Sequence, residues 1–177
     1  MRPDCFIPFP IPVLGIAAPS GTGKTSLIER LIPALVARGL RVGTIKRSHH
    51  AFEIDHPGKD SDRMRRAGAR QVLIASAHRS ALITEGDGRS EPQLTALLAR
   101  LDPGALDLVL VEGFRQDAIP KLEVHRRSLG RPLLCLEDPC VIAVVTDDPA
   151  EIPPHTSALP LDDPDRVAVF VASWVAR

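Results

Sequence analysis

A chain of 177 residues is long enough for one compact domain with a continuous core and short for two domains of ordinary size. Its 22 lysines and arginines balance 22 aspartates and glutamates, so no global charge marks a nucleic-acid binder and any basic surface must be local. No apolar run approaches the roughly 20 residues of a membrane span, and the prolines in MRPDCFIPFPIP argue against a signal peptide, so a cytoplasmic protein is expected. Cys5, Cys135 and Cys140 form no C-x-x-C pair and leave an odd one over, which predicts neither a disulfide framework nor a structural zinc. With few aromatics and no tyrosine, the core falls to Leu, Val, Ile and Ala.

Residues 1–10 read as an extended, flexible, Pro-rich tail ahead of a single domain over 11–177. Residues 11–18 are apolar on both faces, the pattern of a central parallel strand covered by helices. The strand runs into Ala18-Pro19-Ser20-Gly21-Thr22-Gly23-Lys24-Thr25, and a helix-patterned segment begins at once. That context makes the stretch a phosphate-binding loop, in which successive backbone N–H groups curl around a phosphate at a helix N-terminus. Gly21 and Gly23 supply flexibility, Lys24 can reach the β- and γ-phosphates, and the Thr25 hydroxyl can hold Mg²⁺. Pro19, Ser20, Thr22 and Ser26 belong to the same cradle. Ala18 replaces the first glycine of G-x-x-x-x-G-K-[ST] and should keep φ negative.

The helix should run over roughly 24–38, with Pro33 kinking or breaking it and Gly39 as its stop. Strand 41–46 leads into a long polar loop over 47–58, then a helix over 59–67 closed by Gly68. Residues 71–77 and 80–84 read as a hairpin, 91–101 as an amphipathic helix, and 106–111 as a buried strand ending at Glu112-Gly113. Further strands are expected over 121–125 and 141–146, the latter ending at Asp147-Asp148-Pro149, and a last helix over 163–176 with Trp174 as a core anchor. Strands alternating with helices predict an α/β fold, a mostly parallel sheet between helical layers with one antiparallel hairpin. In such sheets a ligand lies beyond the carboxyl ends of the strands.

A phosphate loop needs an acidic partner. Glu112 ends a buried strand on the required side, and Gly113 leaves room for a γ-phosphate. Asp107 begins that strand, about 17 Å away on five residues of rise, and reads as a surface residue. Asp60 opens the helix after the long loop: it is either a cap or a holder of metal-bound water, with Arg63 facing phosphate. Lys46, Arg47, His49, His50, His56 and Lys59 form either a positively charged lip for an anion or a plain solvated loop. Adjacent histidines on extended backbone point to opposite sides, so a metal site there is disfavoured. A carboxylate at Asp147 or Asp148 could accept two hydrogen bonds from guanine that adenine cannot offer, which favours GTP, although Asp-Asp-Pro is also an ordinary turn.

These blocks together, PSGTGKTSLIERLIPAL, RVGTIKRSHHAFEIDHPGKDSDRMRRAGA, LDLVLVEGFR and PKLEVHR, resemble the molybdopterin-guanine dinucleotide biosynthesis adapter family, MobB, over about residues 11–175. The resemblance implies a three-layer α/β/α P-loop NTPase fold and a homodimer with weak GTP hydrolysis. The implied partner is a MobA-type guanylyltransferase that joins GMP to molybdopterin. It assigns Gly21, Gly23, Lys24 and Thr25 to phosphate and Mg²⁺, matches Asp60 and Arg63 to a D-[ST]-x-R segment, and matches Glu112-Gly113 to an acidic strand-end motif. The basic loop becomes a candidate contact for the anionic pterin or the partner. The chain lacks a full Asn-Lys-x-Asp guanine motif. A small-molecule kinase and a metallochaperone NTPase are the competing classes.

Overall fold

The computed structural model describes residues 5–48 and 52–177. The chain divides into two compact units, Met1–Arg47 with Gln93–Arg177, and Ser48–Pro92.

The larger unit is built on β1 (Val13–Ala17), β2 (Val42–Lys46), β5 (Leu108–Glu112), β6 (Lys121–His125), β7 (Val141–Thr146) and β8 (Ser157–Pro160), with helices α1 (Lys24–Val36), α3 (Leu94–Leu98) and α4 (Pro164–Val175). Its sheet has the order β2-β5-β1-β6-β7-β8, and every pairing is parallel. Strand side chains alternate faces, and the central strands bury both. Leu108 and Leu110 join Leu14, Ile16, Leu122 and Val124 in a cluster with Leu27, Leu31 and Leu35 of α1 and Val167, Ala168 and Val171 of α4. Val109 and Val111 face the opposite way, into a second cluster with Val13, Ile45, Phe114 and Leu94 and Leu98 of α3. The expected layered α/β architecture follows from this two-sided burial.

Several expectations change. The helix drawn over 91–101 is only Leu94–Leu98, which leaves much of the second sheet face for another element to cover. Residues 5–10, expected as a flexible tail, do part of that work: Ile7 and Phe9 pack on the second cluster. Cys5 is buried and joined by a disulfide to Cys140, across 135 residues of sequence, while Cys135 is the free thiol. The cysteine spacing could not foretell this, because the pairing joins two ends of the unit rather than neighbours in sequence. Closing so long a loop restricts the unfolded chain strongly, by about 5 kcal/mol in the chain-entropy account. Pro33 does not break α1, which runs through it. The proline costs only the hydrogen bond to the Glu29 carbonyl, and both residues lie on the exposed side, where water can replace it. Strand β8, unexpected from sequence, carries Pro160 at the sheet edge, where a missing N–H costs no ladder bond. Trp174 packs, partly buried, on the first cluster.

β6 has one apolar face and one buried polar face. Lys121, Glu123 and His125 are 2%, 3% and 5% exposed. Lys121 Nζ pairs with Asp138 at 3.0 Å and donates to the Asp117 carbonyl at 2.6 Å. Glu123 accepts from the Leu134 and Cys135 amides at 2.7 and 2.8 Å. These contacts pin the segment between β6 and β7 onto the strand, satisfying groups that would otherwise be costly to bury.

Asp107, placed at the wrong end of β5 for chemistry, is a structural clasp. Its carboxylate accepts from Arg41 N at 2.8 Å, Arg41 Nε at 3.0 Å and Arg41 Nη2 at 2.8 Å, joining the starts of β2 and β5. The Arg41 side chain, then its amide, hold this carboxyl down to about 2 from an ordinary 3.8. A carboxylate with a lowered folded value stabilises fully above its unfolded value, and that contribution is lost as pH falls through the folded one. The stability difference between wild type and Asp107→Asn, measured by urea denaturation across pH, is therefore expected to be constant near neutrality and to shrink between pH 3.8 and about 2. A difference that grows on acidification would refute the clasp.

The smaller unit holds α2 (Asp60–Arg66) and an antiparallel hairpin of β3 (Gln71–Ala75) and β4 (Ser80–Thr84), as expected. Its centre is Asp62, 3% exposed, which accepts from the Gly58 amide at 2.8 Å and from Arg66 Nε at 2.9 Å. Those two donors, the amide first, lower its carboxyl below the ordinary range. Arg65 bonds Glu85 at 2.8 Å and Glu53 at 3.0 Å, gathering loop, helix and hairpin around one guanidinium. Leu73 and Leu82 of the hairpin are exposed.

Candidate functional site

The carboxyl ends of β1, β5, β6 and β7 bring together most of the residues singled out in the larger unit. After β1 the chain curls through Ala18–Thr25 into α1, with Gly21 at φ +79 and Gly23 at φ +102. Among the described residues no non-glycine has positive φ, so Ala18 sits where alanine is at ease. Thr22 is buried and donates its hydroxyl to the Pro19 carbonyl at 2.9 Å, bracing the loop from inside. Lys24 Nζ donates to the Ala18 and Pro19 carbonyls at 3.0 and 2.9 Å, so two of its three donors hold it over the loop. Ser20 and Ser26 are exposed on the loop and on the first turn of α1.

Glu112 lies where the sequence put it. Its Oε1 is 3.5 Å from Thr25 Oγ1, and its Oε2 is 3.7 Å from Lys46 Nζ. Two oxygens that both bind Mg²⁺ in an octahedron are about 3 Å apart, so this pair fits an ion held by Thr25, with Glu112 beside it or reaching it through water. Among the described residues no group of three or more His, Cys, Asp or Glu could hold a metal alone.

Gly113 has a structural requirement of its own. At φ +98, a Cβ there would stand 2.9 Å from Arg47 Cβ and 3.3 Å from the Arg47 carbonyl. The glycine is required by its backbone and by the close passage of Arg47, whose guanidinium lies 5.8 Å from the Phe114 ring centre.

Asp147 and Asp148 separate clearly. Asp148 is committed to structure: it pairs with Arg127 and accepts from the Ala150 amide at 3.1 Å, and Arg127 first, then that amide, lowers its carboxyl. Asp147 is exposed and lines a cavity of about 540 Å³, the size of a small-ligand site. Arg30, Arg126, Thr146, Pro160 and Leu161 share that lining, and Arg30 donates to the Leu161 carbonyl at 2.8 Å. The sequence reading missed Arg30, Arg126 and the segment after β8. Recognising β8 as a strand would have exposed that segment by the same carboxyl-end rule.

Asp60 and Arg63 belong to the smaller unit, at the start of α2, where both are exposed and 3.7 Å apart. Asp60 makes no capping bond; the cap residue is Lys59. His56 is exposed on the loop, whereas His49 and His50 lie outside the described residues.

The chain matches the family described as "MobB: Molybdopterin guanine dinucleotide synthesis protein B" over residues 13–147, a span that includes the phosphate loop, Glu112-Gly113 and Asp147. The molybdopterin-guanine dinucleotide biosynthesis adapter protein of Escherichia coli (strain K12) is 45% identical over 168 residues, covering 94% of this chain and 95% of that protein. That of Haemophilus influenzae (strain ATCC 51907 / DSM 11121 / KW20 / Rd) is 43% identical over 165 residues, covering 93% and 90%. The crystal structure of molybdopterin-guanine biosynthesis protein B (mobB) superposes with a TM-score of 0.73 at 29% identity, over 93% of this chain and 99% of that one. With a family match over residues 13–147 and relatives 45% and 43% identical over nearly the whole chain, this chain belongs to the MobB family.

Proposed function

We propose that this chain is a GTP-binding adapter in molybdopterin guanine dinucleotide biosynthesis, a slow Mg²⁺-dependent GTPase that supports a MobA-type guanylyltransferase. The observation that carries the reading is that the carboxyl ends of the sheet strands carry together a glycine-rich loop with Lys24, a Thr25–Glu112 pair and a cavity lined by Asp147. The loop amides and Lys24 bind the phosphates. Asp147, rather than Asp148, receives N1–H and the amino group of guanine. Thr25 and Glu112 hold Mg²⁺, which when bound neutralises charge building up on the β- and γ-phosphate oxygens. Asp60 and Arg63 act on the attacking water and the phosphate. Hydrolysis is slow because such sites often await a group supplied by a partner.

The chain acts in the cytoplasm, as a homodimer whose exposed hairpin leucines, Leu73 and Leu82, supply apolar surface for pairing. The basic loop from Lys46 to Lys59 meets the anionic pterin or the guanylyltransferase.

The test is calorimetric titration of GTP and ATP with Mg²⁺ on wild type, Asp147→Ala and Asp148→Ala. Wild type is expected to prefer GTP by at least tenfold, Asp147→Ala to lose that preference and Asp148→Ala to keep it. An ATP preference in wild type would reject the guanine assignment and bring the kinase class forward.

A further inference from the structure

The sheet order places β6 between the strand that feeds the phosphate loop, β1, and the strand that ends at Asp147, β7. Neighbouring strands are about 4.8 Å apart, so a nucleotide with its phosphates on the loop and its base at Asp147 spans about 10 Å and must cross the carboxyl end of β6. The residue there is Arg126, the first past the strand. Its Nε donates to the Thr22 carbonyl at 3.0 Å. Its Nη2 lies 3.6 Å from where a Cβ on Gly23 would stand, and its Nη1 is 3.8 Å from Asp147 Oδ2. The same side chain lines the 540 Å³ cavity. One guanidinium thus touches the phosphate loop at one end and the base-facing carboxylate at the other.

Building on the GTP reading above, we propose that Arg126 is a nucleoside-binding residue, its guanidinium forming the wall against which the purine and ribose lie while it orients Asp147 toward the base. A guanidinium suits this task. It is planar, weakly hydrated and stacks on aromatic rings, and its fork donates in several directions at once. A lysine ammonium is a compact, hydrated point charge that offers no plane. Arg126 therefore places beside Asp147, from a different strand, a cation that the sequence lacks next to it for want of an Asn-Lys-x-Asp motif. The Arg127 amide completes the setting by donating to Asp147 Oδ1 at 3.0 Å, which leaves carboxylate lone pairs for the base.

The test titrates Mg²⁺-GTP, Mg²⁺-GDP and Mg²⁺-tripolyphosphate into wild type, Arg126→Ala, Arg126→Lys, Arg126→Gln, Asp147→Ala and the double variant Arg126→Ala/Asp147→Ala, with thermal unfolding run beside each. Arg126→Ala is expected to weaken GTP and GDP about tenfold while tripolyphosphate binding stays within twofold of wild type. Arg126→Lys should remain at least fivefold weakened, and the double variant should lose less than the two single losses multiplied. Arg126→Gln retains a donor toward Thr22 and serves should the alanine variant unfold. Unchanged GTP affinity in folded variants would overturn the proposal. So would tripolyphosphate binding that falls as far as GTP binding, which would make Arg126 a brace of the loop only. Failure of wild type to bind GTP in a Lys24-dependent way would reject the GTP reading itself and this proposal with it. Lys24-dependent binding that is indifferent to Arg126 rejects the present proposal alone.

Discussion

Lys24→Ala is expected to raise the Kd for GTP at least a hundredfold while leaving the fold intact. The Lys24 ammonium is held over the phosphate loop by the Ala18 and Pro19 carbonyls, with its third donor left for a ligand. A hydrogen bond to a charged group contributes about 1.5–3 kcal/mol, and a phosphate facing this amine takes up charge as well. Losing about 3 kcal/mol is more than two decades in Kd. The side chain makes its bonds at the surface of the loop rather than in the core, so thermal unfolding should move little. Calorimetry on the folded variant decides: a loss below tenfold would mean that the loop does not carry the phosphates, and the nucleotide reading would fall with it.

The second large effect is on folding. Asp138→Ala is expected to destabilise the larger unit by about 3–5 kcal/mol in urea denaturation, because it strands the Lys121 ammonium. That ammonium is 2% exposed and would keep only the Asp117 carbonyl. Against a typical total of 5–15 kcal/mol this is a large fraction. The cost arises from the orphaned charge rather than from the pair as such. Lys121→Met combined with Asp138→Leu should therefore recover most of the loss. A double variant as unstable as Asp138→Ala would place the cost in the other bond that Asp138 makes, accepting the Cys140 amide at 2.8 Å, rather than in the stranded charge. Because β6 leads directly to Arg126, the same variants report whether its carboxyl end must be fixed for nucleotide binding.

The parts of the candidate site written in consecutive residues are legible in the sequence. The phosphate loop depends on glycine and lysine at fixed spacing between a strand and a helix, and the structure has them in that context. Glu112 was legible because an apolar run with an acidic end can be placed on the sheet by rule. Local patterns misled where a tertiary contact outvoted them. Ile7 and Phe9 lie along the core where α3 is too short to cover the second face of the sheet. At Gly113 the structure adds the close passage of Arg47, a demand that no local pattern carries.

By itself, then, the sequence determined the family, the alternation of strands and helices, the glycine-rich loop between β1 and α1 and the acidic end of β5. All of these rest on periodicity and short-range spacing, which the covalent chain carries directly. The tertiary structure alone decided which of two adjacent aspartates faces the cavity, that Cys5 meets Cys140, and that Arg126 lies between the phosphate loop and Asp147. Each of these turns on strand order and on partners tens of residues away. A parallel sheet sets such neighbours through its crossovers, and no local pattern of residue types records them.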